Sequence, residues 1–86
     1  MKIRRSEHFK KSYQKLSPVL QKRVDKALML LVMNVRHPSL RIKKIQGTDD
    51  IYELRVTRSY RISFETEEDG CFLRKVGKHD DLLRRP

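Results

Sequence analysis

Arg55, Arg61, Lys75 and His79, with Glu53 among the cations, fall in the second half of an 86-residue chain on segments of alternating apolar and polar residues. The segments are Ile51 to Thr57, Tyr60 to Glu65 and Phe72 to Asp80, separated by turn-forming residues. Cations and an imidazole that share one sheet face can hold the oxygens of a phosphodiester, and histidine is the side chain suited to pass protons near neutral pH. Strand alternation places Tyr52, Leu54 and Val56, then Tyr60, Ile62 and Phe64, towards a core. The opposite parity takes Ile51, Glu53, Arg55 and Thr57, then Arg61, Ser63 and Glu65. In the last segment Leu73, Lys75, Gly77 and His79 are assigned to the open face, and Phe72, Arg74, Val76 and Lys78 to the other. The expectation is one concavity lined by Glu53, Arg55, Arg61, Lys75 and His79, with Lys43 or Lys44 from the preceding strand. Gly77 would let a ligand backbone approach closely. The same residues also suit an ordinary solvated face, because the exposed side of an antiparallel sheet is polar by default.

The elements that must position these residues are legible in outline. Lys2 to Arg5 reads as a short strand. Ser6 is placed to cap a helix and Glu7 suits its positive end; Phe9, Tyr13 and Leu16 form one apolar stripe. Ser17-Pro18 starts a second helix, with serine as cap and proline in the first turn. It runs to about Asn34, with Leu20, Val24, Ala27, Leu28, Leu31 and Val35 as its core stripe. Met29, Leu30, Val32 and Met33 make its last half apolar nearly all round, so that end is expected to be buried or to meet a partner. His37-Pro38 breaks the pattern. Arg41 to Ile45 reads as a basic strand, Gly47 to Asp50 as a turn, Thr57-Arg58-Ser59 as a tight connection, and Asp69-Gly70 as a hairpin signal. The order is β-α-α-β-β-β-β, ending in a short polar tail from Asp80 to Pro86. This is an α+β fold with two N-terminal helices on one face of a mostly antiparallel, twisted sheet. The other face is expected to be open to solvent or ligand.

Length fits one domain spanning residues 1–86. Lys and Arg number 21 against 11 Asp and Glu, a formal net charge of +10, which favours a polyanionic partner. The excess belongs to residues 1–47, with 13 Lys/Arg and 2 Asp/Glu; residues 48–86 carry 8 and 9. The lone cysteine, Cys71, excludes an intrachain disulfide, and no Cys/His spacing suits zinc. No stretch is long and apolar enough to span a bilayer, and a cytoplasmic protein is expected.

The sequence resembles the RelE/ParE toxin superfamily of toxin–antitoxin systems. The resemblance is carried by His37-Pro38, Ile42-Lys43-Lys44-Ile45-Gln46-Gly47, Tyr52-Glu53-Leu54-Arg55-Val56, Tyr60-Arg61-Ile62-Ser63-Phe64 and Val76-Gly77-Lys78-His79-Asp80-Asp81-Leu82. It implies a cognate antitoxin whose tail wraps the toxin. It also implies a ribosome-dependent endoribonuclease that cuts mRNA with no cofactor and no metal. Arg61 matches the arginine of the family's Tyr-Arg motif and Arg55 a basic position on the preceding strand. His79 falls where RelE-type members carry an arginine and where members like YoeB and YafQ carry a catalytic histidine. Glu53 stands where RelE has a lysine, and the C-terminal tyrosine of several active members is missing; the Gly-x-His-x-Asp-Leu ending is of the YafQ type.

On this reading His79 is the proton-transfer group, Glu53 a complementary base, and Arg61 and Arg55 stabilise the phosphate charge. Asp80 orients the imidazole. Lys43, Lys44, Lys75 and Lys78 hold flanking phosphates, and Arg23 and Lys26 on the basic second helix contact RNA. Two alternatives remain at this point: a ParE-like inhibitor of DNA gyrase, and a catalytically inactive module that binds RNA or a protein partner.

Overall fold

The computed structural model describes residues 1–86. Strand β1 (Lys2–Arg5) leads into helix α1 (Glu7–Gln14) and helix α2 (Pro18–Met33). After one 3₁₀ turn at Pro38–Leu40 come β2 (Lys43–Lys44), β3 (Ile51–Arg55), β4 (Tyr60–Glu67) and β5 (Gly70–Lys78), and a third helix, α3 (His79–Arg84), closes the described chain. The sheet order is β1-β5-β4-β3-β2. β1 runs parallel to β5 and every other pair is antiparallel. No helix is long and apolar enough to cross a membrane.

Local chemistry accounts for the helix starts. Ser6 Oγ accepts from the Phe9 amide at 2.9 Å and donates to the Arg74 carbonyl at 2.8 Å, so one hydroxyl caps α1 and fastens it to β5. Ser17 Oγ accepts from the Leu20 amide at 3.3 Å, and Pro18 occupies the first turn of α2, where an amide would go unused. The Asp-Gly signal marks a two-residue link between β4 and β5. Gly70 is required there: a Cβ would lie 1.7 Å from the Lys2 carbonyl oxygen on the neighbouring β1.

The core lies between the helices and one sheet face. Phe9, Val24, Ala27, Leu28 and Leu31 from the helices meet Leu54, Ile62, Phe64, Cys71, Leu73 and Val76 from the strands, with Leu40 from the 3₁₀ turn. Tyr52 and Phe64 stack across β3 and β4 with ring centroids 5.8 Å apart.

Three expectations need correction. Helix α2 ends at Met33, so Val35 leaves the core stripe and is exposed. At the apolar end of α2 Leu30 packs against the core while Met29, Val32 and Met33 face solvent. In β5 the alternation breaks, because the pairing with β4 shifts register between Ser63 and Phe64 and skips Arg74. One extra residue lets both Leu73 and Val76 point to the core, so Leu73 is fully buried rather than on the open face. Finally, the tail is a helix, and the second sheet face is partly covered. Leu82 of α3 is buried, and Ser63 and Glu53 beneath that face are 0% and 1% exposed. Leu82 and Ile45 are the two buried apolar residues that stand apart from the main core cluster.

Candidate active site

On the covered face, β3 supplies Glu53, β4 supplies Arg61, β2 supplies Lys43, and the first residue of α3 supplies His79. Their side chains converge on one atom. Glu53 Oε1 lies 3.6 Å from Arg61 Nε, 3.8 Å from His79 Nε2 and 3.9 Å from Lys43 Nζ. The cross-strand register dictates part of this: Glu53 sits opposite Lys43 on one side and Ser63 on the other, and Arg61 sits opposite Gly77. The three contacts are long for hydrogen bonds, and Glu53 Oε2 is buried with no partner. A buried carboxylate oxygen left unpaired is costly to the fold.

Each of the three neighbours is held differently. Arg61 Nη1 donates to the carbonyls of Thr57 at 2.6 Å, Arg58 at 2.9 Å and Tyr60 at 3.1 Å, gathering the β3–β4 turn around the guanidinium. Its Nη2 makes no hydrogen bond within the chain and is not buried, so that nitrogen is free to donate to a ligand. Lys43 is largely exposed. His79 is held by its backbone, whose amide donates to the Ser59 carbonyl at 2.8 Å. Its imidazole is about one-third exposed and lies between two carboxylates, with Asp80 Oδ1 3.6 Å from Nδ1. A cleft of about 420 Å³ opens beside the group, lined by Lys43, Lys44, Ile45, Gln46, Glu53, His79 and Leu83.

Thus the structure brings together Glu53, Arg61, His79, Lys43 and Lys44. Two expected members of the concavity do not line this cleft. Lys75 Nζ donates to the Arg85 carbonyl at 2.7 Å, so the C-terminal residues occupy it. The same residues bind Ser63 Oγ at 2.9 Å and Arg74 Nε at 3.2 Å through the Pro86 main-chain oxygen. Arg55, the last residue of β3, lines a separate groove with Arg23 and Lys26 of α2. Its guanidinium is pushed below the ordinary arginine value by burial and then by the like charges of Arg41, Arg61 and Arg58. Lys78 sits with Arg58, Ser59, His79 and Asp80 around a second opening on the other side of the imidazole.

The positioning groups that sequence reasoning missed are α3, the Ser59 carbonyl and Ser63. A signal for α3 exists: Asp80 and Asp81 fall in its first turn and Arg84 in its last, as the helix dipole favours. Lys78 at its start provides no side-chain cap, so the usual marker of a helix beginning is missing.

The chemistry available is electrostatic and proton-transferring: an imidazole, a guanidinium and one ammonium group lie within 4 Å of a carboxylate at a cleft wall, which a second lysine, Lys44, also lines. No protein-family model matches the chain, and no curated protein matches it. Solved structures do. A chain of the RelB–RelE antitoxin–toxin complex from Methanococcus jannaschii is similar with a TM-score of 0.75 and 21% identity, covering 96% of this chain and 98% of that one. A chain of the DinJ–YafQ complex of Escherichia coli matches at 0.74 and 14% identity over 94% and 96%. The YoeB dimer of Staphylococcus aureus matches at 0.71 and 15% identity over 92% and 97%. The β-α-α-β-β-β-β-α arrangement described above is therefore the fold of the RelE, YafQ and YoeB toxins.

Proposed function

We propose that this chain is the toxin of a toxin–antitoxin pair and cuts mRNA in the ribosome by transesterification. The carrying observation is the convergence of His79, Arg61 and Lys43 on buried Glu53 at the wall of one cleft. Similarity of fold to chains from antitoxin–toxin complexes supports an antitoxin as partner. The cytoplasm, where mRNA is translated, is the place of action.

In the reaction the ribose 2′-oxygen attacks the adjacent phosphorus. A 2′-O–P bond forms, the P–O5′ bond breaks, and the products are a 2′,3′-cyclic phosphate and a free 5′-hydroxyl. The 2′-hydroxyl proton passes to solvent water in the open cleft, and one proton is delivered to the 5′-oxygen. His79, the partly exposed imidazole at the cleft, carries the proton transfer to the leaving oxygen. Arg61 Nη2 and Lys43 Nζ neutralise the charge that builds on the phosphate oxygens; one such donor is worth roughly 3–4 kcal/mol in the transition state. Glu53 was expected as a complementary base. Its burial at 1% exposure and its place amid two cations and an imidazole suit a different task, holding Arg61, Lys43 and His79 in register. Long contacts at an empty site tighten when substrate binds.

The test is to induce the chain in growing cells, map mRNA ends and assay DNA supercoiling in parallel. The proposal expects growth arrest with new mRNA 5′-hydroxyl ends inside reading frames and supercoiling unchanged. Intact mRNA with inhibited supercoiling would establish the gyrase reading instead, and RNA binding without cleavage or arrest would establish the inactive module.

A further inference from the structure

The row of residues that crosses the covered sheet face does not stop at the cleft. Pairing sets Lys43 opposite Glu53, Glu53 opposite Ser63, and Ser63 opposite Lys75. Lys43 and Glu53 line the cleft, whereas Ser63 and Lys75 lie under residues 85 and 86. The bulge in β5 adds a third donor to the row. Strict alternation sends Arg74 and Lys75 to opposite faces; the bulge takes Arg74 out of the pairing and re-aims it. Its guanidinium then reaches the Pro86 oxygen that Ser63 also binds. A hydroxyl, a guanidinium and an ammonium thus donate to two main-chain oxygens, at 2.9, 3.2 and 2.7 Å.

The tail fills this place without neutralising it. Arg74 Nη1 pairs with Glu65 at 2.6 Å, but Lys75 pairs with no carboxylate. Residues 82–86 read Leu-Leu-Arg-Arg-Pro, so the tail is itself cationic, and Arg84 and Arg85 are exposed and unpaired. Like charges brought together raise the free energy of the folded chain. No residue beyond Leu82 is buried. Hydrogen bonds rather than packing hold residues 85 and 86: the three above, and the Arg85 amide to the Asp81 carbonyl at 3.3 Å.

We infer that residues 85 and 86 are an internal competitor of the RNA: their main-chain oxygens occupy a phosphate subsite made by Ser63, Arg74 and Lys75, and the strand displaces them as it enters. This rests on the RNA-cleaving reading above and adds to it a resting state in which half of the row is closed. Chemistry favours a phosphate as the displacing group. All three side chains donate to the tail, and Lys75 would exchange a peptide carbonyl for a charged oxygen, a stronger partner. A phosphate also relieves the crowding of Arg74, Lys75 and the tail arginines, which the tail itself increases. The subsite adjoins the cleft, because Ser63 stands one strand spacing, about 4.8 Å, from Glu53. Leu83, on the cleft wall, is two residues from Arg85, so the strand that fills the cleft meets the tail next.

The experiment follows the Arg85 amide by NMR relaxation in the full chain, alone and with a single-stranded RNA of about ten nucleotides, 2′-O-methylated throughout so that no 2′-oxygen can attack. The order parameter of Arg85 is expected to fall from about 0.8 to below about 0.6 on saturation, while that of Leu82 stays high. Affinity for the same RNA is then compared between wild type and a chain shortened by residues 85 and 86. The shortened chain lacks one cation, so the bulk field alone would weaken its binding. The inference expects the opposite, binding at least about threefold tighter, because the open state no longer has to be populated first. Arg85→Gly/Pro86→Gly, which loosens the tail at full length, should shift the same way. Lys75→Gln should cost more affinity in the shortened chain than in the full one. A rigid Arg85 amide in the RNA complex, or one already mobile without RNA, would overturn the inference, as would weaker binding by both tail variants. Release of the tail by poly-glutamate but not by RNA would assign the subsite to an acidic protein and overturn it too. If the wild-type chain cuts no mRNA yet RNA releases the tail, the cleavage reading fails and the competitor stands. If cleavage depends on His79 while the tail stays bound, the reverse holds.

Discussion

Glu53 Oε1 and His79 Nε2 lie 3.8 Å apart, one on a buried strand position and the other at the start of the last helix. Between them they join the sheet to α3, and the cations that would meet a phosphate gather around that joint.

The Glu53 carboxylate stands at 1% exposure with one oxygen unpaired. Such a group is held against its desolvation cost, and removing one partner of a buried charge pair is destabilising because the other charge is left uncompensated. Glu53→Gln should therefore unfold below the wild-type midpoint, by roughly 1–3 kcal/mol, while mRNA cleavage falls by about tenfold or more at temperatures where the variant is folded. Thermal melting beside an end-mapping assay reads both. A destabilised but fully active variant would show that Glu53 is purely structural.

Leu82 secures α3, and with it His79. Removing a buried leucine side chain costs about 2–5 kcal/mol. Leu82→Ala should lower stability towards the small end of that range, because α3 is peripheral, and should reduce cleavage at temperatures where the remaining fold is intact. Hydrogen exchange should show the amides of residues 79–84 opening first. Unchanged protection of α3 would contradict this.

Cys71 is buried in the core at 2% exposure, and burial, followed by the charge of Glu67, pushes its thiol above the ordinary value. Little thiolate exists in the native state, and reactivity follows the thiolate. A thiol reagent at neutral pH should label the native chain only at the rate at which it opens, and quickly in denaturant. Fast labelling without denaturant would place Cys71 outside the core.

Arg4 Nη2 and Nε bind the two carboxylate oxygens of Glu67 at 2.6 and 2.9 Å, joining β1 to the end of β4. The hydrogen bond to Arg4 holds the Glu67 carboxyl below its ordinary value. A carboxyl with a depressed folded value stabilises the fold above its unfolded value and loses that contribution as pH falls through the folded one. The stability difference between wild type and Glu67→Gln should thus be constant above about pH 5 and vanish in stronger acid. The pair is partly exposed, so salt should shrink the difference. A difference that grew towards low pH would reverse the sign and reject the pairing.

Much of this was legible in residue order, and the exceptions have physical causes. Period-two alternation assigned Leu54, Ile62 and Arg61 to their faces correctly because β3 and β4 pair without interruption along those residues. It failed at Leu73 because a bulge adds one residue at Arg74, and nothing in Phe72-Leu73-Arg74-Lys75 announces it. The joining of Glu53 to Arg61 and His79 followed from parity. The departure of Arg55 did not: at a strand end the side chain is no longer fixed by the pleat and turns to the α2 groove. Lys75 keeps its assigned face, opposite Ser63, but main-chain oxygens of the last residues, which no side-chain pattern reports, hold its ammonium away from the cleft.

The central claim is that His79 moves a proton during RNA cleavage, and replacing it tests this most directly. His79→Ala and wild type should be added at equal concentration to a translating extract and the mRNA ends counted over time. The account predicts that cleavage drops by about 10²–10⁴-fold, while the variant keeps its fold and its affinity for the 2′-O-methylated RNA. Cleavage by His79→Ala at the wild-type rate would contradict it.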